Sequence, residues 1–304
     1  MIAIVKPGLL TTIQDLGRPG LAHLGVARSG ALDAPALARA NALVGNRATA
    51  AGLETTLTGV TLRAEADVTV AVTGASAPVT VDGVAVGLDT AVPLPAGATL
   101  QVGPARTGVR SYVAFAGGIT VAPVLGSRST DTLSGLGPPA MRAGYVIPIG
   151  RPAAEPEVDQ PALFPVPDSA IAAELTVRLR LGPRDGWFTS QAVQALLAQP
   201  YVLSVKSNRV GARLSGPELT RAVAAELPSE GIVLGAVQVP ADGQPLIFLA
   251  DHPTTGGYPI IGVVERDDLP LIAQARPGTK VRFTLPTVPP IPAPPHVDDV
   301  TLWT

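Results

Sequence analysis

The chain has no cysteine among its 304 residues, which excludes disulfides, thiolate zinc sites and a cysteine nucleophile. Lysine is nearly as scarce, at positions 6, 206 and 280 only, and the formal net charge is −2. Such a surface has no basic footprint for nucleic acid, so no nucleic-acid partner is expected. The three histidines, His23, His252 and His296, are too few and too scattered for a metal site. No 18-residue window is apolar without glycine, proline or charge, and the N-terminus lacks a basic leader and a long apolar run. A cytoplasmic protein without a membrane partner is expected. The P-loop, the G-x-S-x-G nucleophile turn and H-E-x-x-H are all missing, which removes ordinary P-loop, α/β-hydrolase and zincin chemistry.

What is present describes a folded, core-rich protein. Hydrophobic residues make up 46% and charged residues 15%, with a mean hydropathy of +0.34. Glycine and proline, 32 of each, punctuate short Val, Leu and Ile runs at strand spacing, so a mainly β fold is expected. Strands are predicted at 2–5, 68–73, 79–81, 99–102, 111–116 and 145–149, then at 176–182, 201–206, 231–240, 245–250, 259–264 and 280–285. One helix is predicted after Asp33, which suits an N-cap, with Pro35 in its first turn, Leu37, Ala40 and Val44 on one face, and Gly45-Asn46 as the stop. A second is predicted at about 185–199.

Residues 151–170 hold five prolines and four acidic residues without a sustained period. They read as a connection between one domain at 1–150 and another at 171–285, and the proline-rich stretch at 286–304 reads as a tail. Two glycine pairs, Ala-Gly-Gly-Ile after strand 111–116 and Thr-Gly-Gly-Tyr after strand 245–250, suggest distant copies of one unit.

The stretch from Ser229 to Tyr258 concentrates the chemistry. Two apolar runs flank Asp242-Gly243, a type I′ hairpin signal, and both faces of the hairpin should be buried. The second run ends in Asp251-His252, followed by a loop with Thr254, Thr255, Gly256, Gly257 and Tyr258. The threonines, tyrosine, aspartate and histidine supply donors, acceptors and titratable groups. The glycines would permit positive φ and close approach to a ligand. A tight polar turn is the structural alternative.

Other dense polar clusters are QDLGR (14–18), SGALD (29–33), AN-LVGN (40–46), GSRST (126–130), SNRVGARL (207–214), SEG (229–231), QVP-DG-P (238–245), D-TTGGYP (251–259), Gln274 and Pro277-Gly278. In this order they resemble the biotin-dependent carboxyltransferase family, also called allophanate hydrolase subunit 2 or KipA-like proteins, which includes the C component of bacterial 5-oxoprolinase. The resemblance spans nearly everything except the connection and the tail. Pro253 stands where the family usually has glutamine, and His252 is not a constant feature.

The resemblance implies two associated cyclophilin-like β-barrel domains with a few short helices. It also implies the C component of an ATP-hydrolysing lactam hydrolase, opening 5-oxoproline to glutamate with a KipI-like B component and a LamB/YcsF-type A component. Such chemistry needs anion stabilisers and a group to orient water. Arg18, Arg128, Arg209 and Arg213 are candidate anion partners, because a guanidinium fork matches carboxylate and phosphate; ion pairing at the surface or between domains is the alternative. Asp251, Glu230 and His252 are the candidate catalytic groups, and Asn208 and Gln238 are candidates for an amide or imide, with turn capping as the alternative. Two other functions stay open. One is a carboxyltransferase component acting on a urea-like amide, with biotin carried by another protein because Lys206 sits in Val-Lys-Ser-Asn. The other is a non-catalytic regulator that binds a KipI-like kinase inhibitor.

Overall fold

A computed structural model describes residues 1–152 and 174–287. The expected connection at 151–170 lies outside these but for its first two residues, and the tail lies outside them beyond Thr287. The described residues are mainly β, with three short α-helices.

The first half runs β1 (Ile2–Lys6), β2 (Leu10–Gln14), α1 (Ala34–Leu43), β3 (Gly52–Thr56), β4 (Val60–Ala64), β5 (Val68–Ser76), β6 (Val79–Val81), β7 (Val84–Val86), β8 (Ala91–Leu94), β9 (Thr99–Val102), β10 (Thr107–Phe115) and β11 (Val146–Ile147). These strands hydrogen-bond as two sheets, in the orders β11-β1-β4-β9-β6-β7 and β2-β3-β10-β5-β8. Ile2, Ile4, Leu62 and Leu100 of one sheet share a core with Ile13, Leu53, Val113 and Phe115 of the other. Strand alternation then turns Tyr112 and Ala114 of β10 the opposite way, onto Leu37 and Ala40 of α1. Helix α1 forms as its sequence predicts: the Asp33 side chain accepts from the Ala36 amide, and Gly45 follows its end at φ 75°.

The second half runs β12 (Glu174–Leu181), α2 (Ser190–Ala198), β13 (Tyr201–Leu203), β14 (Gly211–Ser215), β15 (Glu230–Gly231), β16 (Ala236–Gln238), β17 (Leu246–Phe248), β18 (Thr255–Gly256), β19 (Ile260–Val264), α3 (Leu269–Gln274) and β20 (Lys280–Thr284). Seven of these strands close a barrel in the order β12-β19-β16-β17-β14-β13-β20, sealed by parallel pairing of β12 with β20. The alternation in β12 is as predicted, with Leu175, Val177 and Leu179 inside and Arg178 and Arg180 outside. Helix α2 starts later than predicted because Thr189 caps it, after a 3-10 turn at Asp185–Trp187.

The predicted hairpin exists, with Val237 opposite Ile247. Both faces are buried: those two enter the barrel core, while Ala236 and Phe248 pack outward against Ile232 and Ile260. Its turn is not type I′. The connection is longer than two residues, Gly243 alone of the Asp242-Gly243 pair has positive φ, and the Gly243 amide bonds the Pro240 carbonyl. The two glycine pairs also differ. Gly117 and Gly118 have φ of 90° and 66°, whereas Gly256 and Gly257 do not adopt positive φ and lie in or beside the small β15-β18 ribbon.

Candidate functional site

Beside Leu32, which enters the core of the second half, polar groups tie the two halves together. Arg209, 2% exposed, places its Nε 2.9 Å from Asp251 Oδ2 and its Nη2 2.9 Å from Asp251 Oδ1. The same guanidinium reaches into the first half, donating from Nη1 to Glu54 Oε1 at 2.5 Å and from Nη2 to the Gly30 carbonyl at 2.7 Å. Burial alone would lower the Arg209 pKa; Glu54 and Asp251 outweigh it and hold the group above its ordinary value. Asp251 is fully buried and further accepts from the Thr132 amide and hydroxyl, at 2.9 and 2.7 Å, with the Ser29 hydroxyl 2.7 Å away. Burial would raise its pKa, and Arg209 and Thr132 reverse that, leaving the carboxyl below the usual range. Asp251 therefore sits inside a saturated clasp, not at an open strand end.

Beside this clasp the Gln274 side chain of α3 crosses to the first half. Its Oε1 accepts from the Val109 and Arg110 amides, and its Nε2 donates to Asp33 Oδ2 at 2.8 Å and to the Arg110 carbonyl. Burial raises the Asp33 carboxyl, an effect partly offset by Gln274 and the Ala36 amide. Glu54 accepts from Tyr112 Oη and the Leu32 amide on its other oxygen.

QDLGR and GSRST form one knot. Asp15 Oδ1 accepts from Ser127 and Ser129, and Oδ2 from the Arg128 amide. The knot holds Arg18, 2% exposed, which donates from Nη2 to the Ser129 carbonyl at 2.5 Å and lies 3.4 Å from the Val124 carbonyl through Nε.

Two hollows that share part of their lining open alongside. The larger, about 840 Å³, lies between the halves and is lined by Leu32, Asp33, Ala250, Arg266, Leu269 and Gln274 among others. The smaller, about 350 Å³, shares Arg28, Leu234 and Arg266 with it and adds Arg18, His252 and Thr254. His252 Nδ1 lies 2.7 Å from the Pro253 carbonyl. A carbonyl only accepts, so Nδ1 carries the proton and Nε2 is the acceptor in the neutral ring. Burial lowers the His252 pKa, against smaller upward effects of the Pro253 carbonyl, Asp251 and Asp131.

Of the residues expected at a site, Arg18, His252 and Thr254 meet at the smaller hollow. Glu230, Gln238, Thr255, Gly256 and Tyr258 gather instead around the β15-β18 ribbon. There Glu230 pairs with Arg184 at 2.9 Å, Gln238 donates to the Tyr258 carbonyl, and the Arg221 guanidinium lies 5.7 Å from the Tyr258 ring centre. Gly256 serves close approach, since a Cβ there would meet Ile232 Cδ1 at 2.7 Å; a Cβ on Gly257 would find nothing nearer than the Leu227 carbonyl at 3.4 Å. Asn208 is exposed and caps its own turn by accepting from the Val210 and Gly211 amides, Arg213 is exposed on β14, and Arg128 donates to the Val121 carbonyl. Sequence reasoning missed Arg28, Glu54, Arg110 and Arg266. A carboxylate inside the strand Gly-Leu-Glu-Thr-Thr was the available signal for Glu54.

Residues 24–285 match the family model described as carboxyltransferase domain, subdomain A and B. The chain belongs to the carboxyltransferase domain family. One member of the family, the 5-oxoprolinase C component of Escherichia coli (strain K12), is 38% identical over 93% of this chain and 90% of its own length. Among solved structures, TTHA0988 superposes with a TM-score of 0.80 at 38% identity, over 93% of this chain and 55% of that one. The K. lactis urea amidolyase gives a TM-score of 0.86 at 27% identity, over 93% of this chain and 18% of that one. The chain thus spans nearly all of the bacterial relative, about half of the first structure and a minor part of the second. No helix among the described residues is long and apolar enough to cross a membrane.

Proposed function

We propose that this chain is the C component of an ATP-dependent 5-oxoprolinase, working with a KipI-like B component and a LamB/YcsF-type A component to open 5-oxoproline to glutamate. The observation that carries this reading is the near end-to-end match to the C component of a bacterial 5-oxoprolinase, over 93% of this chain and 90% of that one. Residues 1–150 and 171–285 act in this reading as two domains that enclose the substrate.

The hollow of about 840 Å³ lies within the range of small-molecule sites, and Leu32, Leu234, Leu249, Leu269 and Leu271 give it apolar walls that exclude water. ATP, when bound in the complex, supplies phosphoryl activation of the lactam. The residues of this chain that suit an anionic group are the arginines of the adjoining hollow, among which Arg18 Nη1 is buried without a hydrogen-bond partner. His252, its Nδ1 committed to the Pro253 carbonyl and its pKa lowered by burial, offers Nε2 as a neutral proton acceptor. Asp251 and Arg209 take the role of holding the two halves at the spacing that leaves the hollow open.

Co-expression with the A and B components followed by assay of glutamate release from 5-oxoproline and ATP tests the reading. Release that requires all three chains is expected; a folded complex with no release overturns it. A second reading, carboxyl transfer to a urea-like amide, is favoured by the superposition on urea amidolyase. It predicts transfer from a carboxybiotin-bearing partner to urea, with no response to 5-oxoproline.

A further inference from the structure

The smaller hollow has a composition that neither the fold nor the clasp requires. Arg18, Arg28, Arg266 and His252 line it together with apolar residues and Thr254, and no aspartate or glutamate is among its lining residues. None of the three arginines makes an ion pair with a carboxylate among the described residues. Arg18 and Arg28 lie on one loop, drawn together by a 2.8 Å bond from the Arg18 amide to the Arg28 carbonyl, and Arg266 comes from the second half, in the turn after β19. Clustering cations this way without a counter-charge in the lining costs energy. Burial, and then the nearby charge of Arg266, push the Arg28 pKa down.

Arg18 carries the argument further. Its Nη2 and Nε are directed at backbone carbonyls, which fixes the plane of the guanidinium, while Nη1 is buried with no partner. A buried donor left unmade costs about 1–3 kcal/mol, more when charged, so such groups in folded proteins are normally satisfied by something. With three arginines and no carboxylate in the lining, and one of the guanidinium groups half fixed, the complementary group is an anion with more than one acceptor oxygen.

We propose that the hollow lined by Arg18, Arg28, Arg266 and His252 is a binding site for one small oxyanion, a carboxylate or a phosphoryl group, with the backbone-anchored Arg18 at its fixed wall. The site deepens the lactam-hydrolase reading, in which the carboxylate of 5-oxoproline and the phosphate released from ATP are the two sources of such a group. Binding itself does not require the complex. Because Arg28 and Arg266 come from different halves, an anion between them would also bridge the halves.

The test is isothermal titration calorimetry of the full chain with inorganic phosphate and, separately, with 5-oxoproline, beside the Arg28→Gln/Arg266→Gln double variant and the Arg18→Gln variant. One site per chain is expected for at least one of the two probes, weakening with added salt and losing about tenfold or more in affinity in the double variant. Phosphate alone would assign the site to a phosphoryl group, 5-oxoproline alone to the substrate carboxylate, and both to either. The double variant changes only groups without ion-pair partners, so its melting temperature should hold even if Arg18→Gln fails to fold. The proposal is overturned if neither probe binds at millimolar concentration, or if the folded double variant binds as wild type does. Glutamate release by the complex together with absent binding would sink this site alone; binding without release would sink the lactam-hydrolase reading and leave the site.

Discussion

Arg209, on the loop before β14 of the second half, donates to Glu54 of β3 in the first half, with 2.5 Å between Nη1 and Oε1 and both side chains almost wholly buried. The other edge of the same guanidinium clasps Asp251, so one cation bridges two carboxylates from different halves. Taking these charges out of water is expensive, and the arrangement holds because each nitrogen of the fork donates to an acceptor. The clasp explains why SNRVG, LETT and the D of the DHPTTGG loop, far apart in sequence, belong together.

Replacing Arg209 should therefore cost more than any surface arginine. Arg209→Met leaves two buried carboxylates without their partner and is expected to lower stability by about 3–5 kcal/mol. Arg209→Lys should be damaging too, since an ammonium cannot span Asp251, Glu54 and the Gly30 carbonyl together. Urea unfolding of the variants beside Arg213→Met, whose side chain is exposed on β14, checks this; equal losses at 209 and 213 would refute it.

Asp251→Asn is expected to destabilise the protein while leaving activity per folded molecule close to wild type, because its oxygens are already taken by Arg209, Thr132 and Ser29. The folded-state pKa is depressed, so the stability it supplies is present above the unfolded value of about 3.9 and is lost as pH falls from there through the folded value. The stability of wild type should fall more steeply than that of Asp251→Asn below about pH 4. Parallel pH profiles, or a folded variant with turnover reduced by about 10²-fold, would return Asp251 to the chemistry.

Much of the fold was legible because the apolar strands carry it. The Val, Leu and Ile runs of β1, β5, β6, β9, β10, β12 and β19 and the capped helix α1 were predicted within a few residues. Strands β2, β3, β4, β7, β8, β14 and β18 were missed: β4, β7, β8 and β18 are short pieces of two to five residues, while β2 and β3 carry polar side chains buried against partners remote in sequence. Thr11, Thr12, Gln14, Glu54 and Thr55 are all nearly inaccessible, yet they read as loop chemistry in a single sequence. The same blindness affected the site. Motif density pointed to Arg18 and His252, but Arg28 and Arg266 stand in unremarkable surroundings and acquire meaning only when the halves meet. Gly256 and Gly257 suggested positive φ, which a ribbon pairing with Glu230–Gly231 does not use.

His252 provides a second pH signature, with a different window. Its folded pKa lies below the ordinary value near 6.5, so the unfolded chain binds the proton first on acidification. Stability should be complete above about pH 6.5 and decline as pH falls below it, and His252→Gln should remove that part of the decline. Unfolding free energies measured between pH 7.5 and 5.5 test this, and a variant with the wild-type slope would show that burial does not hold the ring neutral.

The last prediction tests how the knot positions Arg18. Gly137 has φ of 85°, and a Cβ there would lie 2.1 Å from the Ser129 carbonyl oxygen, the acceptor of Arg18 Nη2, and 3.2 Å from Nη2 itself. Gly137→Ala thus combines a left-handed backbone with a clash against main chain that the bonds of Asp15 hold in place, so it cannot be absorbed by a rotamer change. A stability loss of about 1–3 kcal/mol is expected, with Arg18 displaced from its carbonyl. Gly257→Ala, where φ is not positive and the nearest atom is at 3.4 Å, should cost well under that. Thermal unfolding of both variants decides the matter: comparable losses would mean that the backbone around Ser129 yields easily and that Arg18 is not fixed by it.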